Sequence, residues 1–310
     1  MFSDRLSEFF TDQLGEWDLA RTNYRQLEKV QTRSMVFQGF QVLVQFNPER
    51  IRSSAAEVDD KSIGKRQCFL CEKNRPPQQR GVPFESEFTI LVNPYPIFRR
   101  HLTIVSGYHT GQRIRYNFGS MLSLAEVLPE YVIFYNGPQC GASAPDHLHF
   151  QAGNRGFMPI EKDFSSGRFA GRVFTRKGAE VWHWKDYLRG IISLKGSQRE
   201  PLETLFHLFF ERFDDIRHEG PEPMLNILTC KEDDQWIIHI IPRKQHRPVQ
   251  FYAVGDDQII LSPASVDLGG VVITPREEDF NKITMQDISN IFGQVCFGDT
   301  HLHQMILEIK

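Results

Sequence analysis

Apolar and polar positions recur along this chain in patterns that predict helices at its start, a strand-rich middle and a second block of helix and strand. Up to about residue 30, charged and apolar side chains mix at three- and four-residue spacing, the period of an amphipathic helix. Residues 36–46 (VFQGFQVLVQF) then alternate as a half-buried strand does. Residues 47–83 are polar and rich in Arg, Lys and Pro, which predicts irregular chain around Cys68-Phe-Leu-Cys71. Strand patterns resume at 88–92 and 101–105, on either side of the turn signal Asn93-Pro-Tyr-Pro. Residues 119–128 read as helix, and 131–135 and 147–151 as two strands joined by a Gly-containing turn. Residues 163–197 have mixed character and read as a connection or insertion. Pro201 then opens a helix in which Leu202, Leu205, Phe206, Phe209, Phe213 and Ile216 form one apolar stripe, and strands return at 224–229 and 236–241.

The order strand, turn, then His-strand-His occurs twice. Ile90-Leu-Val-Asn followed by residues 101–109 is echoed by Asn226-Ile-Leu-Thr followed by residues 236–246, as duplication of one α+β unit would produce. The expectation is an α+β chain with antiparallel sheets flanked by helices. It would divide into a catalytic half over residues 1–165 and, over 166–310, a connection plus a second, non-catalytic half.

Length and composition narrow the function classes. With 310 residues and 40% apolar content the chain can fill a substantial core. A formal net charge of −3 argues against a nucleic-acid partner, since phosphate-backbone binding needs a dominant basic surface. The first residues carry charges throughout and form no secretory signal, and no segment reaches membrane-spanning length. Five cysteines, with only Cys68 and Cys71 close together, suit a reducing compartment, so a cytoplasmic protein without disulfides is expected. A homodimer is the base-rate expectation for its assembly.

The densest chemical signal is the run from Asn136 to Gln151, NGPQCGASAPDHLHFQ. On a strand His147, His149 and Gln151 share one face while Leu148 and Phe150 point to the other. Gly141-Ala-Ser143 just before them can expose consecutive backbone N–H groups to phosphate oxygens. Neutral imidazole is a good nucleophile near pH 7, so attack by His149 on a phosphorus would split nucleotidyl transfer into two reversible steps. Gln151 can donate a hydrogen bond but cannot protonate a leaving group, which suits exchange of one phosphate for another. Lys65, Arg66, Arg99, Arg100 and Lys162 are candidates for neutralising substrate phosphates. His183, His207, His218, His301 and His303 form no recognisable arrangement and read as solvated or core polar groups.

The run 136–151 resembles the active-site segment of the histidine-triad superfamily's transferase branch, which includes galactose-1-phosphate uridylyltransferases, diadenosine tetraphosphate phosphorylases and GDP-hexose phosphorylases. Residues 101–109 are similar to that superfamily's earlier strand, and Phe157-Met-Pro-Ile-Glu-Lys162 resembles a segment that follows the active site in the GDP-hexose phosphorylases. The resemblance implies two tandem histidine-triad-like halves and His149 as the nucleophile that takes up a nucleoside monophosphate. It also implies Gln151, Ser143, Gly141, Asn136, Asn93 and Lys162 around the substrate. Nucleotide or nucleotide-sugar, with phosphate or sugar phosphate as acceptor, would be the partners; a hydrolase, or a nucleotide-binding protein without catalysis, would be the alternatives. Cys68 and Cys71 supply two thiolates at a spacing found in zinc knuckles, and with His109 and His147 they resemble the structural zinc site of bacterial uridylyltransferases. A second metal site of that group is not expected here, because only His239 of its histidine pair is present, Ile237 standing in the other place.

Overall fold

A computed structural model describes residues 2–51, 60–216 and 220–310 of the chain. Two helices, α1 (Phe2–Glu16) and α2 (Asp18–Leu27), come first and bury Leu6, Phe10, Ala20 and Tyr24. The alternating stretch at 36–46 is a hairpin rather than one strand: β1 (Gln31–Val36) and β2 (Gln41–Phe46) pair antiparallel about a turn at Gly39. Within the stretch expected to be irregular, residues 52–59 lie outside the described residues; Asp60–Lys65 forms a short helix and β3 (Gly81–Phe84) pairs with β4 (Phe88–Val92). The chain continues through β5 (His101–Ser106), α3 (Phe118–Val127), β6 (Tyr131–Asn136), β7 (His149–Asn154) and α4 (Pro159–Ser165).

Residues 163–197 depart most from the sequence reading. They hold three strands, β8 (Ala170–Arg176), β9 (Ala179–Trp184) and β10 (Ile192–Gly196), paired antiparallel. Lys177 and Gly178 both adopt positive φ, the conformation a two-residue hairpin turn demands, and a Lys-Gly pair between β-branched and aromatic residues carries that signal. α5 (Arg199–Ile216), β11 (Leu225–Glu232) and β12 (Gln235–Pro242) follow. The chain ends with α6 (Ser265–Leu268), β13 (Val271–Thr274), α7 (Glu277–Lys282), α8 (Met285–Val295) and α9 (Asp299–Ile309).

Ten strands form one antiparallel sheet in the order β3-β4-β5-β7-β6-β11-β12-β10-β9-β8. Taken from each edge inward the sequence of elements is the same: three antiparallel strands, a helix, then two strands of which the later one lies outside. Repeat and repeat meet where β6 pairs with β11, Asn136 opposite Asn226. This topology corrects the match made from the sequence, because β12 is the counterpart of β7, and β10 that of β5. The short segments at 101–109 and 236–246 resemble each other without occupying equivalent places. Helix α4, which ends at Ser165, connects β7 to β8.

Both faces of the sheet are covered. One core holds Ile104, Ile133, Tyr135, Leu148 and Phe150 against α3, α5 and α9; the other holds Phe98, Val132, Phe134 and Leu228 beneath the small sheet β1-β2-β13 and α8. Strands buried on both sides read as continuous apolar runs, which is why β6 and β12 are so hydrophobic. The small sheet joins chain start to chain end, since β13 runs parallel to β2. Among the described residues no helix is long and apolar enough to cross a membrane.

Candidate functional site

Leu148, just before β7, and Phe150 point into the first core, while His149 and Gln151 turn to the opposite face, where Gln151 stands opposite Phe134 of β6. There a cavity of about 660 Å³ is lined by His149 and Gln151 together with Asn93, Asn136, Gly141 and Ser143. With Arg66, which lines it too, seven of the residues singled out in the sequence therefore converge. Lys162 does not: it is exposed on α4 and is not part of the cavity lining. His147 does not share the cavity either, because β7 begins only at His149; His147 lies in the preceding turn and faces the cysteines.

Hydrogen bonds fix the orientation of each polar group. His149 is 4% exposed and its Nδ1 lies 2.8 Å from the carbonyl of His147, which can only accept. Nδ1 therefore carries the proton and Nε2 keeps its lone pair. Burial pushes the ring's pKa down to about 4, so it is neutral near pH 7. Gln112, fully buried, clamps the backbone here: its Oε1 accepts from the His149 N–H at 2.8 Å, and its amide donates to the carbonyls of His149 and Asn136. Sequence reasoning missed Gln112, since a lone Gln in a loop carries no pattern.

His101 orients Gln151. Its Nδ1 accepts the Ile97 N–H at 3.1 Å, so its Nε2 holds the proton and donates to Gln151 Oε1 at 3.0 Å. The amide oxygen is thereby engaged, and the Gln151 NH2 is left for a ligand. Burial, with Arg50 nearby, lowers the His101 pKa to about 3, which keeps this donor–acceptor pattern stable.

Asn136 is set by the second repeat and by the segment that follows it. Its Oδ1 accepts from the Ser265 N–H at 2.9 Å and Asn226 Nδ2 at 2.8 Å, and the single proton of the Ser265 hydroxyl lies between this oxygen at 2.7 Å and the Tyr135 carbonyl at 2.8 Å. Asn226 is itself fixed, because its Oδ1 accepts from the buried Arg243 guanidinium at 2.7 Å while its Nδ2 also reaches the Cys140 carbonyl at 2.8 Å. With every lone pair of the oxygen engaged, Asn136 can offer the cavity only donors. Gly141 adopts φ +94°, and a Cβ there would stand 2.5 Å from Ala264 Cβ, so the turn before His149 packs against the 262–265 segment only with glycine.

Two further polar groups line the same cavity. Arg50 donates to the Tyr95 carbonyl at 3.0 Å, and Asp267 accepts from the backbone N–H groups of Ala264 and Ile273. Asn93 accepts from the Tyr95 N–H at 2.9 Å and donates to Thr103 at 3.0 Å. Neither Arg50 nor Asp267 was visible in the sequence, because each comes from outside the recognisable run.

Cys68, Cys71, His109 and His147 place one ligand atom each within 4.8 Å of one another, a group that can bind a metal ion. Cys68 Sγ is 3.3 Å from His147 Nδ1 and Cys71 Sγ is 3.1 Å from His109 Nδ1. His147 Nε2 lies 2.8 Å from the Ser106 carbonyl and must donate to it, which leaves Nδ1 free as a ligand. His109 Nε2 in turn lies 3.7 Å from the Asp146 carboxylate. Of the other histidines, His183 and His303 lie with ring centres 4.8 Å apart and tilted by 42°, His301 packs on Phe297, His207 lies against Phe206, and His218 lies outside the described residues.

Comparison with known proteins extends this picture. Residues 9–154, just under half the chain, match a domain of unknown function, DUF4922. A galactose-1-phosphate uridylyltransferase of Halalkalibacterium halodurans is 28% identical over 181 residues, 49% of this chain; the chain spans about a third of that relative's length, 34%. Among solved structures, yeast Ap4A phosphorylase Apa2 superposes with a TM-score of 0.54 at 17% identity, covering 90% of this chain and 94% of its own. The same enzyme in complex with Ap4A superposes with a TM-score of 0.56 at 16% identity, covering 91% and 97%.

Proposed function

We propose that this chain, which shares its fold with yeast Ap4A phosphorylase and resembles a galactose-1-phosphate uridylyltransferase over part of its sequence, is a nucleotidyltransferase of the histidine-triad-like superfamily that carries the nucleotidyl group covalently on His149 Nε2. The observation that carries the reading is the fixed tautomer of His149: a neutral ring, its proton held on the buried side by the His147 carbonyl, lining the same cavity as the amide donors of Gln151 and Asn136. In the first step the Nε2 lone pair attacks the α-phosphorus, and the P–O bond to the leaving phosphate breaks with its electron pair. In the second, an oxygen of the acceptor phosphate attacks the same phosphorus and the pair of the P–N bond returns to Nε2. Nδ1 keeps its proton throughout, so neither step requires proton transfer through the ring.

Gln151 and Asn136 support this chemistry with amide N–H groups whose oxygens are already engaged, donors pre-aimed at charge on the transferring phosphoryl group. Gln151 offers no acid to a leaving group, which suits a leaving phosphate, and the substrate class that fits is an NDP-hexose or a dinucleoside polyphosphate with inorganic phosphate or a sugar phosphate as acceptor. For the Cys–His cluster we propose zinc in a structural role. Tetrahedral zinc, bound at about 2.3 Å to sulfur and about 2.0 Å to nitrogen, sets those atoms about 3.5 Å apart, and the S···N distances of 3.1 to 3.6 Å accord with that. Zinc on His147 would hold the residue two before the nucleophile.

Intact-mass measurement after incubation with a panel of NDP-hexoses and dinucleoside polyphosphates tests the reading. An added mass of one nucleoside monophosphate is expected, discharged by inorganic phosphate and absent in His149→Ala. An adduct that survives that substitution removes His149 from the mechanism, and discharge by water as fast as by phosphate makes the protein a hydrolase.

A further inference from the structure

We infer that Arg66 binds the phosphate that leaves in the first step and attacks in the second, a reading that rests on the proposed nucleotidyl transfer. Arg66 belongs to the loop of the Cys–His cluster yet lines the same cavity as His149, Gln151 and Ser143. Its guanidinium is held from one side only. Nη2 donates to Asp146 Oδ1 at 2.8 Å and to the Ser143 carbonyl at 3.3 Å, and the group lies 5.2 Å from the centre of the Phe69 ring. Nη1 is shielded from solvent and, among the described residues, has no hydrogen-bond partner.

A shielded donor on a charged group is costly to leave unpaired, and the side chain is only 26% exposed, so bulk water does not readily supply the missing acceptor. An oxyanion entering the cavity would. The guanidinium is already aimed by Asp146 and stiffened by Phe69, so little rotamer freedom remains to be lost on binding. The Asp146 carboxylate is the acidic group nearest an anion so held, and its two oxygens already face Arg66 at 2.8 Å and His109 at 3.7 Å. The position also sorts the two arginines of the cavity. Arg66 is anchored to Ser143 and Asp146, the turn that precedes the nucleophile, whereas Arg50 is anchored to Tyr95 beside Asn93. The nucleotide's outer phosphate therefore falls to Arg66.

The test is calorimetric titration of the metal-containing protein, Arg66→Ala and Arg66→Lys with ADP, GDP and UDP and with the matching monophosphates. Diphosphate affinity should fall about tenfold to a hundredfold in Arg66→Ala, the range for losing a charge-assisted hydrogen bond, with monophosphate affinity unchanged. Arg66→Lys keeps the charge without the fork and should lose less. Metal content is measured on each variant, so that damage to the cysteine loop is seen directly. Equal weakening of monophosphate and diphosphate in either variant would make Arg66 a positioning group for the Ser143 turn and overturn the inference, as would unchanged diphosphate affinity. Wild-type protein that binds neither class of nucleotide would instead sink the nucleotidyl-transfer reading, and Arg66's assignment with it.

Discussion

Replacing Asn226 probes how the second repeat serves a site built mainly by the first. Asn226 is fully buried and joins three groups: Arg243, whose guanidinium it accepts, the Cys140 carbonyl, and Asn136, whose oxygen it helps to hold. In Asn226→Ala the carbonyl of Cys140 loses this donor and Arg243 Nη1 retains only the Pro263 carbonyl. A lost hydrogen bond to a buried carbonyl costs about 0.5 to 1.5 kcal/mol and a weakened hydrogen bond to a buried charge about 1.5 to 3, so about 2 to 4.5 kcal/mol of stability should be lost. Asn226→Asp keeps a partner for Arg243 but sets a carboxylate against Asn136 Oδ1 and the Cys140 carbonyl, two groups that only accept. Its stability loss should be smaller than that of the alanine variant, whereas nucleotide loading of His149 should fall at least tenfold in both. Urea unfolding gives the first quantity and the initial rate of adduct formation the second. Full loading in a folded Asn226→Asp protein would refute the claim that Asn136 must present its donors.

Gly141→Ala should cost about 2 to 4 kcal/mol, combining a non-glycine residue at positive φ with a 2.5 Å approach to Ala264, and denaturant unfolding against the wild type measures it. Cys68→Ser and Cys71→Ser should each bring bound metal, measured by elemental analysis, from about one ion per chain to near zero and lower the thermal midpoint; a wild-type chain that is metal-free and equally stable would count against the site. Acid should destabilise the fold through buried histidines away from the cysteine cluster. His101, His239 and His246 have folded pKa values of about 3 against 6.5, so between pH 6.5 and 3 the unfolded chain binds more protons and stability falls as pH falls. Glu222 and Asp267, raised by burial to about 7 and about 6, act oppositely, being relieved as pH falls to their unfolded values near 4.5 and 3.8. At about 1.4 kcal/mol per unit the net loss from pH 7 to 5 is about 2 kcal/mol, rising to about 6 by pH 3.5. Unfolding curves taken from pH 7 to 3.5 should show that steepening, and a stability rising below pH 5 would contradict it.

What could be read from the sequence was whatever repeats at short range. The stripe of α5 and the alternation of β7 each follow from one or two turns of chain; the stripe stands where expected, and His149 and Gln151 share one face as expected, although His147 does not join them. β8 and β9 carry their own turn signal at Lys177-Gly178, yet Trp182-His-Trp184 and the interspersed charges hid the alternation, because an edge sheet with one wet face looks like mixed chain. The duplicated topology was hinted at through the wrong pair of strands. Similar side chains at 101–109 and 236–246 suggested equivalence, whereas pairing partners, which are set by distant chain, decide it. In the site, His149 and its neighbours stand in one run, while Gln112, Arg50, Asp267 and the Asn226–Arg243 pair arrive from four separate segments and act through contacts no local pattern encodes. His147 shows the limit of periodicity in the other direction: the strand starts two residues later than the alternation suggested, so His147 is released to the cysteines.

Locating the nucleotidyl group on the chain tests the central claim most directly. Protein loaded with nucleotide, digested and sequenced by mass spectrometry without acid exposure, should carry the added mass on the peptide bearing His149, with phosphorus on imidazole nitrogen that is released by mild acid and stable to base. A modification on His147, on His101 or on any serine, or a fully active protein in which no covalent species can be trapped, would contradict it.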